Sequence, residues 1–131
     1  MRKVETFFPS EHRDGLMRSL LQLRARCQMA ATEVCYADST TTHKSEYRGV
    51  VYQVPWRVQT RLEILVADHD VDAVVDVLAT ELEKKLGLDA LITVSRVDDA
   101  LHLSTGRRGE IAMHSPVRRD WTPEGSGLRK Q

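Results

Sequence analysis

Two segments that alternate like strands flank a polar run too long to be a turn. On one side stands Ala31-Thr32-Glu33-Val34-Cys35-Tyr36, on the other Arg61-Leu62-Glu63-Ile64-Leu65-Val66-Ala67-Asp68. Tyr47-Arg48-Gly49-Val50-Val51-Tyr52 sits in the middle of the run. A connection of this length in a compact domain is functional or disordered rather than a simple hairpin turn. The chain is therefore constrained to a small sheet carrying a long loop, residues 38–55. That loop is rich in Ser and Thr and has no continuous apolar stripe. Ordering it costs about 1–2 kcal/mol per residue with little burial to offset it, so it is expected to be mobile without a ligand or partner.

The periodicities around the loop supply the rest of the fold. Residues 3–8 are apolar and β-prone, and Pro9-Ser10 ends them, with Ser10 placed to cap a helix whose apolar residues are Leu16, Leu20, Leu21 and Leu23. Residues 28–36 read as a strand with Val34 and Tyr36 on one face, and residues 58–66 alternate strictly. Asp68-His69-Asp70 opens a second helix with the stripe Val71, Val74, Val75, Leu78, Leu82 and Leu86, while Asp76, Glu81, Glu83 and Lys84 face water. Gly87 stops it. Residues 91–95 and 100–104 read as two further short strands about an Asp98-Asp99 turn. The order is β-α-β-β-α-β, the ferredoxin-like α+β arrangement of two helices on one antiparallel sheet. The face left bare by the helices is expected to be apolar. The division expected is a domain over residues 1–113 and a flexible tail over 114–131, where Gly and Pro collect and periodicity is lost.

Composition removes several function classes. At 131 residues the chain is one domain, small enough to gain from oligomerisation. Its 19 basic and 19 acidic residues cancel, so no net field draws it to nucleic acid. Met1-Arg2-Lys3 and a short apolar run are not a signal peptide, and no stretch approaches the roughly 20 apolar residues that span a bilayer. A cytoplasmic protein is the expectation. Cys27 and Cys35 lack CxxC spacing and read as reduced thiols, with a regulatory disulfide as the alternative. His12, His43, His69, His102 and His114 form no ligand cluster. No nucleophile–base pair stands out, so neither a metal nor catalysis is expected.

Several motifs together carry a family resemblance. They are Thr32-Glu33-Val34, Tyr47-Arg48-Gly49, Tyr52, Leu62-Glu63-Ile64, the run Val66 to Val75, and Thr105-Gly106 with Arg108-Gly109-Glu110. In this spacing the chain resembles the PII signal-transduction proteins over residues 1–113, with one extra residue near Arg24-Ala25-Arg26. The resemblance implies a homotrimer that binds adenine nucleotide between subunits and presents its loop, with Tyr47, Arg48 and Tyr52, to a protein partner. It places the adenine beside Phe7, Glu63 and Leu65. It places phosphates at the turn Lys84-Lys85-Leu86-Gly87-Leu88-Asp89-Ala90-Leu91, at the start of the third strand, and at His102 and Ser104 on the last strand.

The departures from that pattern bear on the ligand. Ala30 replaces a hydroxyl that contacts the base; Leu88 and Ala90 replace glycines; Leu91 and Gln59 replace lysines; His102 and Ser104 replace arginines. Thr40 replaces the glutamine that holds magnesium and 2-oxoglutarate. Charge-assisted hydrogen bonds contribute roughly 1.5–3 kcal/mol each, so three or four lost ones make ATP bound in the family manner an unlikely ligand. Lys84, Lys85, Arg107 and Arg108 remain to meet a mono- or diphosphate, and Arg118, Arg119 and Trp121 could add to them or form a docking segment. AMP or ADP is expected to bind at least as well as ATP, with 2-oxoglutarate adding nothing, and protonation of His102 to strengthen phosphate binding as pH falls from about 8 to 6. These departures resemble PII-like proteins associated with carboxysomes or bicarbonate transport, which implies AMP, ADP or bicarbonate as effector, no obligatory cofactor, and a membrane transporter as a candidate target. A ligand-independent trimeric adaptor is the alternative.

Overall fold

A computed structural model describes residues 1–39, 43–54, 56–87 and 89–113, and only the backbone at 43–45, 52 and 53. Residues 1–98 form one compact unit and a second begins at Asp99. In the first, β1 (Arg2–Phe8), β2 (Cys27–Ala37), β5 (Trp56–Val66) and β6 (Ile92–Arg96) form one sheet in the order β2-β5-β1-β6. Every pairing is antiparallel. The helices α1 (Arg13–Leu21) and α2 (Val71–Leu86) follow β1 and β5. This is the ferredoxin-like α+β order read from the sequence.

The register explains the core. Val4 faces Ile64 and Thr6 faces Leu62 across β1–β5, and the same side carries Phe8 and Val66. Leu16 and Leu20 from α1, and Val74, Leu78 and Leu82 from α2, complete a cluster from which solvent is excluded. Each such side chain contributes about 1.5–3 kcal/mol on burial. Leu23 packs at the edge of the cluster, whereas Leu21 is turned to solvent, 70% exposed. Its position, one residue beyond Leu20, rotates it about 100° off the buried stripe.

Ser10 does not cap α1. It sits in a 3-10 turn, Ser10–His12, and its Oγ accepts a 2.8 Å hydrogen bond from Thr60 Oγ1, tying that turn to β5. Gly87 ends α2 with φ 66°, a backbone setting that L side chains rarely adopt.

Two further expectations are corrected. The bare face of the sheet is not apolar. Alternation places Lys3, Glu5 and Phe7 there beside Arg61, Glu63 and Leu65. Glu5 and Glu63 stand directly opposite one another. Such a like-charge pair is unfavourable alone, and two cations relieve it. Lys3 Nζ lies 3.3 Å from Glu63, and Arg61 reaches Glu63 at 3.0 Å through Nη2 and Glu5 at 3.7 Å through Nε.

Residues 100–104 are likewise no strand. Leu101 makes a single bridge to Arg108, and Gly106 N–H donates to the His102 carbonyl at 2.8 Å, turning the chain back on itself. Leu103, which the alternation would bury, is 89% exposed.

Candidate functional site

The long connection between β2 and β5 holds a hairpin. Strands β3 (His43–Tyr47) and β4 (Val50–Val54) pair from His43↔Val54 to Tyr47↔Val50. The turn is Arg48-Gly49, with φ 51° and 80°. Two successive positive φ values match the right-handed twist of the flanking strands. Arg48 lies over the Tyr47 ring, 5.3 Å from its centroid. Tyr47, Val50 and Val51 are exposed. Tyr52 pairs with Ser45 through the backbone; its side chain lies outside the described residues, as do Thr40, Leu88 and the tail segment with Arg118, Arg119 and Trp121.

Where β1 stops, opposite Thr60, β2 and β5 run on together as a two-stranded ribbon ending at Ala37↔Trp56. At that step, beside the end of α2, is a cavity of about 360 Å³. Glu5, Phe7 and Pro9 line it from β1 and its end, Tyr36 and Asp38 from the end of β2 and just beyond, and Arg57 and Gln59 from β5. Leu86 closes it from the end of α2, Asp89, Ala90 and Leu91 from the connection that follows, and Thr93 from β6. Thr6 Oγ1, buried, donates to the Leu91 carbonyl at 2.9 Å and so fixes that connection against β1. The Phe7 and Tyr36 rings stand 5.1 Å apart, tilted by 38°.

Of the residues singled out from the sequence, Phe7, Gln59, Asp89 and Leu91 line this one cavity. Glu63 and Leu65 share the bare face but are outside the cavity lining. Lys3 and then the Arg61 charge hold the Glu63 carboxyl below the usual carboxylate range. Lys84 pairs with Glu81 at 3.7 Å, and neither Lys84 nor Lys85 lines the cavity. Lys85 extends toward Gly15 on α1.

The remaining expected residues belong to the second unit. His102 Nδ1 and Ser104 Oγ are 3.1 Å apart, and Arg107 N–H donates to Thr105 Oγ1 at 3.2 Å. Arg108 binds Asp99 at 2.7 Å, which with the Ala100 and Gly109 N–H groups keeps the Asp99 carboxyl low.

Sequence reasoning missed Arg57. Strand alternation was the available signal, because residues 57, 59, 61 and 63 must share one face. The Arg57 guanidinium lies 5.8 Å from the Tyr36 ring centroid. With the Gln59 amide oriented so that its oxygen faces Arg57, it accepts from Nε at 2.7 Å and Nη2 at 3.1 Å. Gln59 is buried, so it clamps the arginine from below.

Comparison with known proteins decides the family. The chain is 30% identical to the nitrogen regulatory protein P-II of Haemophilus influenzae over 114 residues, 86% of this chain and 100% of the relative. This chain belongs to the P-II family. It is also 29% identical over the same share of both chains to the nitrogen regulatory protein P-II of Cereibacter sphaeroides. Against the nitrogen regulatory protein P-II 2 of Methanothermobacter thermautotrophicus it is 32% identical over 85 residues, 65% of this chain and 74% of the relative. No protein-family model matches the chain. Among the described residues of this P-II family member, no helix is long and apolar enough to cross a membrane.

Proposed function

We propose that this chain is a non-enzymatic P-II-like regulatory protein that works as a homotrimer. It senses AMP, ADP or a small anion such as bicarbonate in clefts between copies, and signals to a protein target through the hairpin arm. The observation that carries this reading is where the cavity lies. Tyr36, Asp38 and Arg57 line it, and the same residues root the arm on both of its strands. A ligand touching them acts where the arm leaves the sheet. It favours one arm conformation by its differential affinity for that conformation. The Phe7–Tyr36 wall suits a flat base. Glu63 and Leu65, on the same face but outside the cavity, are placed for a ligand held by a neighbouring copy. Exposed Tyr47, Val50 and Val51 offer the target an apolar contact, and a membrane transporter is the candidate that the family resemblance suggests.

A second reading, the ligand-independent adaptor, is favoured by one specific observation. Glu5, Asp38 and Asp89 line the cavity against a single described cation, Arg57. The two readings separate in a thermal-shift screen of AMP, ADP, ATP, cyclic AMP, bicarbonate and 2-oxoglutarate. A ligand bound only by the folded state at 100 times its Kd stabilises by about 2.7 kcal/mol. AMP, ADP or bicarbonate should raise the midpoint and 2-oxoglutarate should not. A flat response to all six ligands leaves the adaptor. Sedimentation giving a monomer at micromolar concentration removes the trimer from both readings.

A further inference from the structure

We propose that Arg57 is the anion anchor of the cavity, and that the carboxylates around it limit the ligand there to one small oxyanion. Either the phosphate of a nucleoside monophosphate or free bicarbonate would meet that limit. The inference rests on the cavity being a ligand site, as proposed above, and goes on to say which residue reads the ligand's charge.

Three features set Arg57 apart from a solvated surface cation. The alternation of β5 aims it at the bare face, where it lines the cavity. The buried Gln59 oxygen occupies Nε and one Nη2 hydrogen. The Tyr36 ring lies against the guanidinium. A guanidinium has five N–H donors in a fixed fork, so a clamp on one edge leaves the other edge oriented. An arginine held in this way loses less side-chain freedom when it binds an oxyanion.

The limit on charge comes from the same lining. Glu5 is partly offset by Arg61 at 3.7 Å. Asp89 adds negative charge to the cavity. Each further charge on a ligand then meets repulsion that one guanidinium does not balance. A triphosphate, with about four charges, is disfavoured relative to a mono- or dianion.

Calorimetric titration of the full chain with AMP, ATP and sodium bicarbonate tests this in the wild type and in Arg57→Gln, Arg57→Lys and Asp89→Asn. The wild type should bind AMP or bicarbonate more tightly than ATP. Response to AMP alone assigns the oxyanion to a nucleotide, and response to bicarbonate alone assigns it to the free anion. Arg57→Gln should weaken that binding by about tenfold or more while leaving the ligand-free thermal midpoint near the wild-type value. Arg57→Lys keeps the charge and loses the Gln59 fork, and should fall between. Asp89→Asn should narrow the gap between AMP and ATP.

Wild-type binding that Arg57→Gln leaves unchanged overturns the assignment and leaves the sensor reading intact. Should Arg57→Gln fail to fold, binding by Arg57→Lys equal to the wild type overturns the role of the clamp. ATP bound more tightly than AMP overturns the charge limit. No binding of any of the three ligands by the wild type overturns this inference, and with no response to ADP in the thermal-shift screen it overturns the sensor reading as well.

Discussion

The two faces of the central strands β1 and β5 are built on opposite rules. On the helix side, Val4, Phe8, Leu62, Ile64 and Val66 are closed off from water by α1 and α2. One residue along in each strand, Lys3, Glu5, Arg61 and Glu63 form a ladder of ion pairs, each partly exposed. The first face is specified by volume and hydrophobicity, which act locally and without direction. The second is specified by pairwise geometry, and its carboxylates oppose one another unless their cations are in place. One face thus holds the fold, and the other carries a pattern of paired charges that the helices leave uncovered.

Substitution of neighbours on opposite faces gives the largest expected contrast. Ile64→Ala removes a fully buried side chain from a central strand, and should lower unfolding free energy by about 2–5 kcal/mol. Glu63→Gln, one residue away, should cost less than about 1 kcal/mol, as partly exposed ion pairs do. Urea unfolding of the two variants measures the contrast. Equal losses would mean that the bare face carries fold energy after all.

The arm should respond separately from either face. Gly49 sits at φ 80° in a two-residue turn, with open space where a Cβ would go. Gly49→Val therefore meets backbone strain rather than a clash, at about 1–3 kcal/mol. That loss should appear as faster amide exchange over residues 43–54, with β5 unchanged. Faster exchange at Ile64 would show that the arm and the sheet core unfold as one unit.

Much of the fold was legible because periodicity reports burial directly. The stripe from Val71 to Leu86 and the alternation of residues 58–66 each describe one face of one element; the structure keeps the stripe, and keeps the alternation from Thr60 to Val66 but not at its start, where Val58 is exposed and Gln59 buried. The bare face was misread because covering one side of a sheet says nothing of the other; Lys3, Glu5, Arg61 and Glu63, all odd-numbered on β1 and β5, already stood charged in the sequence. Residues 100–104 carried alternation without a partner strand, and Thr105-Gly106 folds them back before a ladder can form. The hairpin in the loop had a local signal, Arg48-Gly49 between β-prone residues, which the polar flanks concealed. At the cavity, Phe7 and the connection after α2 were singled out through the resemblance alone. Arg57 falls on no family motif, and only the strand period could have found it.

Arg61 gives a smaller effect that tests the ion-pair ladder itself. Its Nε is buried, 3.7 Å from Glu5, and makes no hydrogen bond. Arg61→Met should relieve that burden while exposing Glu5 and Glu63 to one another, for a net change within about 1 kcal/mol. If copies of the chain mate through this face, the same variant should shift sedimentation toward smaller species at equal concentration. A trimer indifferent to the change would place its interface elsewhere.

The smallest expected effect is a pH dependence present on the bare face and absent from the helix side. Lys3 and Arg61 hold the Glu63 carboxyl below its ordinary value, so the unfolded chain takes up a proton there before the folded one does. The contribution of Glu63 to stability is then fully present above the unfolded value of about 4.3. It is lost as pH falls through the lower folded value. Glu63 is a quarter exposed, and solvent screening keeps the whole effect below about 1 kcal/mol. In wild-type protein at low pH, Glu63 becomes a neutral carboxyl much like the amide of Glu63→Gln. The stability gap between wild type and Glu63→Gln should therefore hold from pH 7 to about pH 5 and shrink as pH falls further toward about pH 3. The gap between wild type and Ile64→Ala has no titrating group behind it and should stay constant over the same range. Urea curves at each pH decide the matter, and a Glu63→Gln gap that holds steady or widens with acid would remove the ion-pair ladder as its cause.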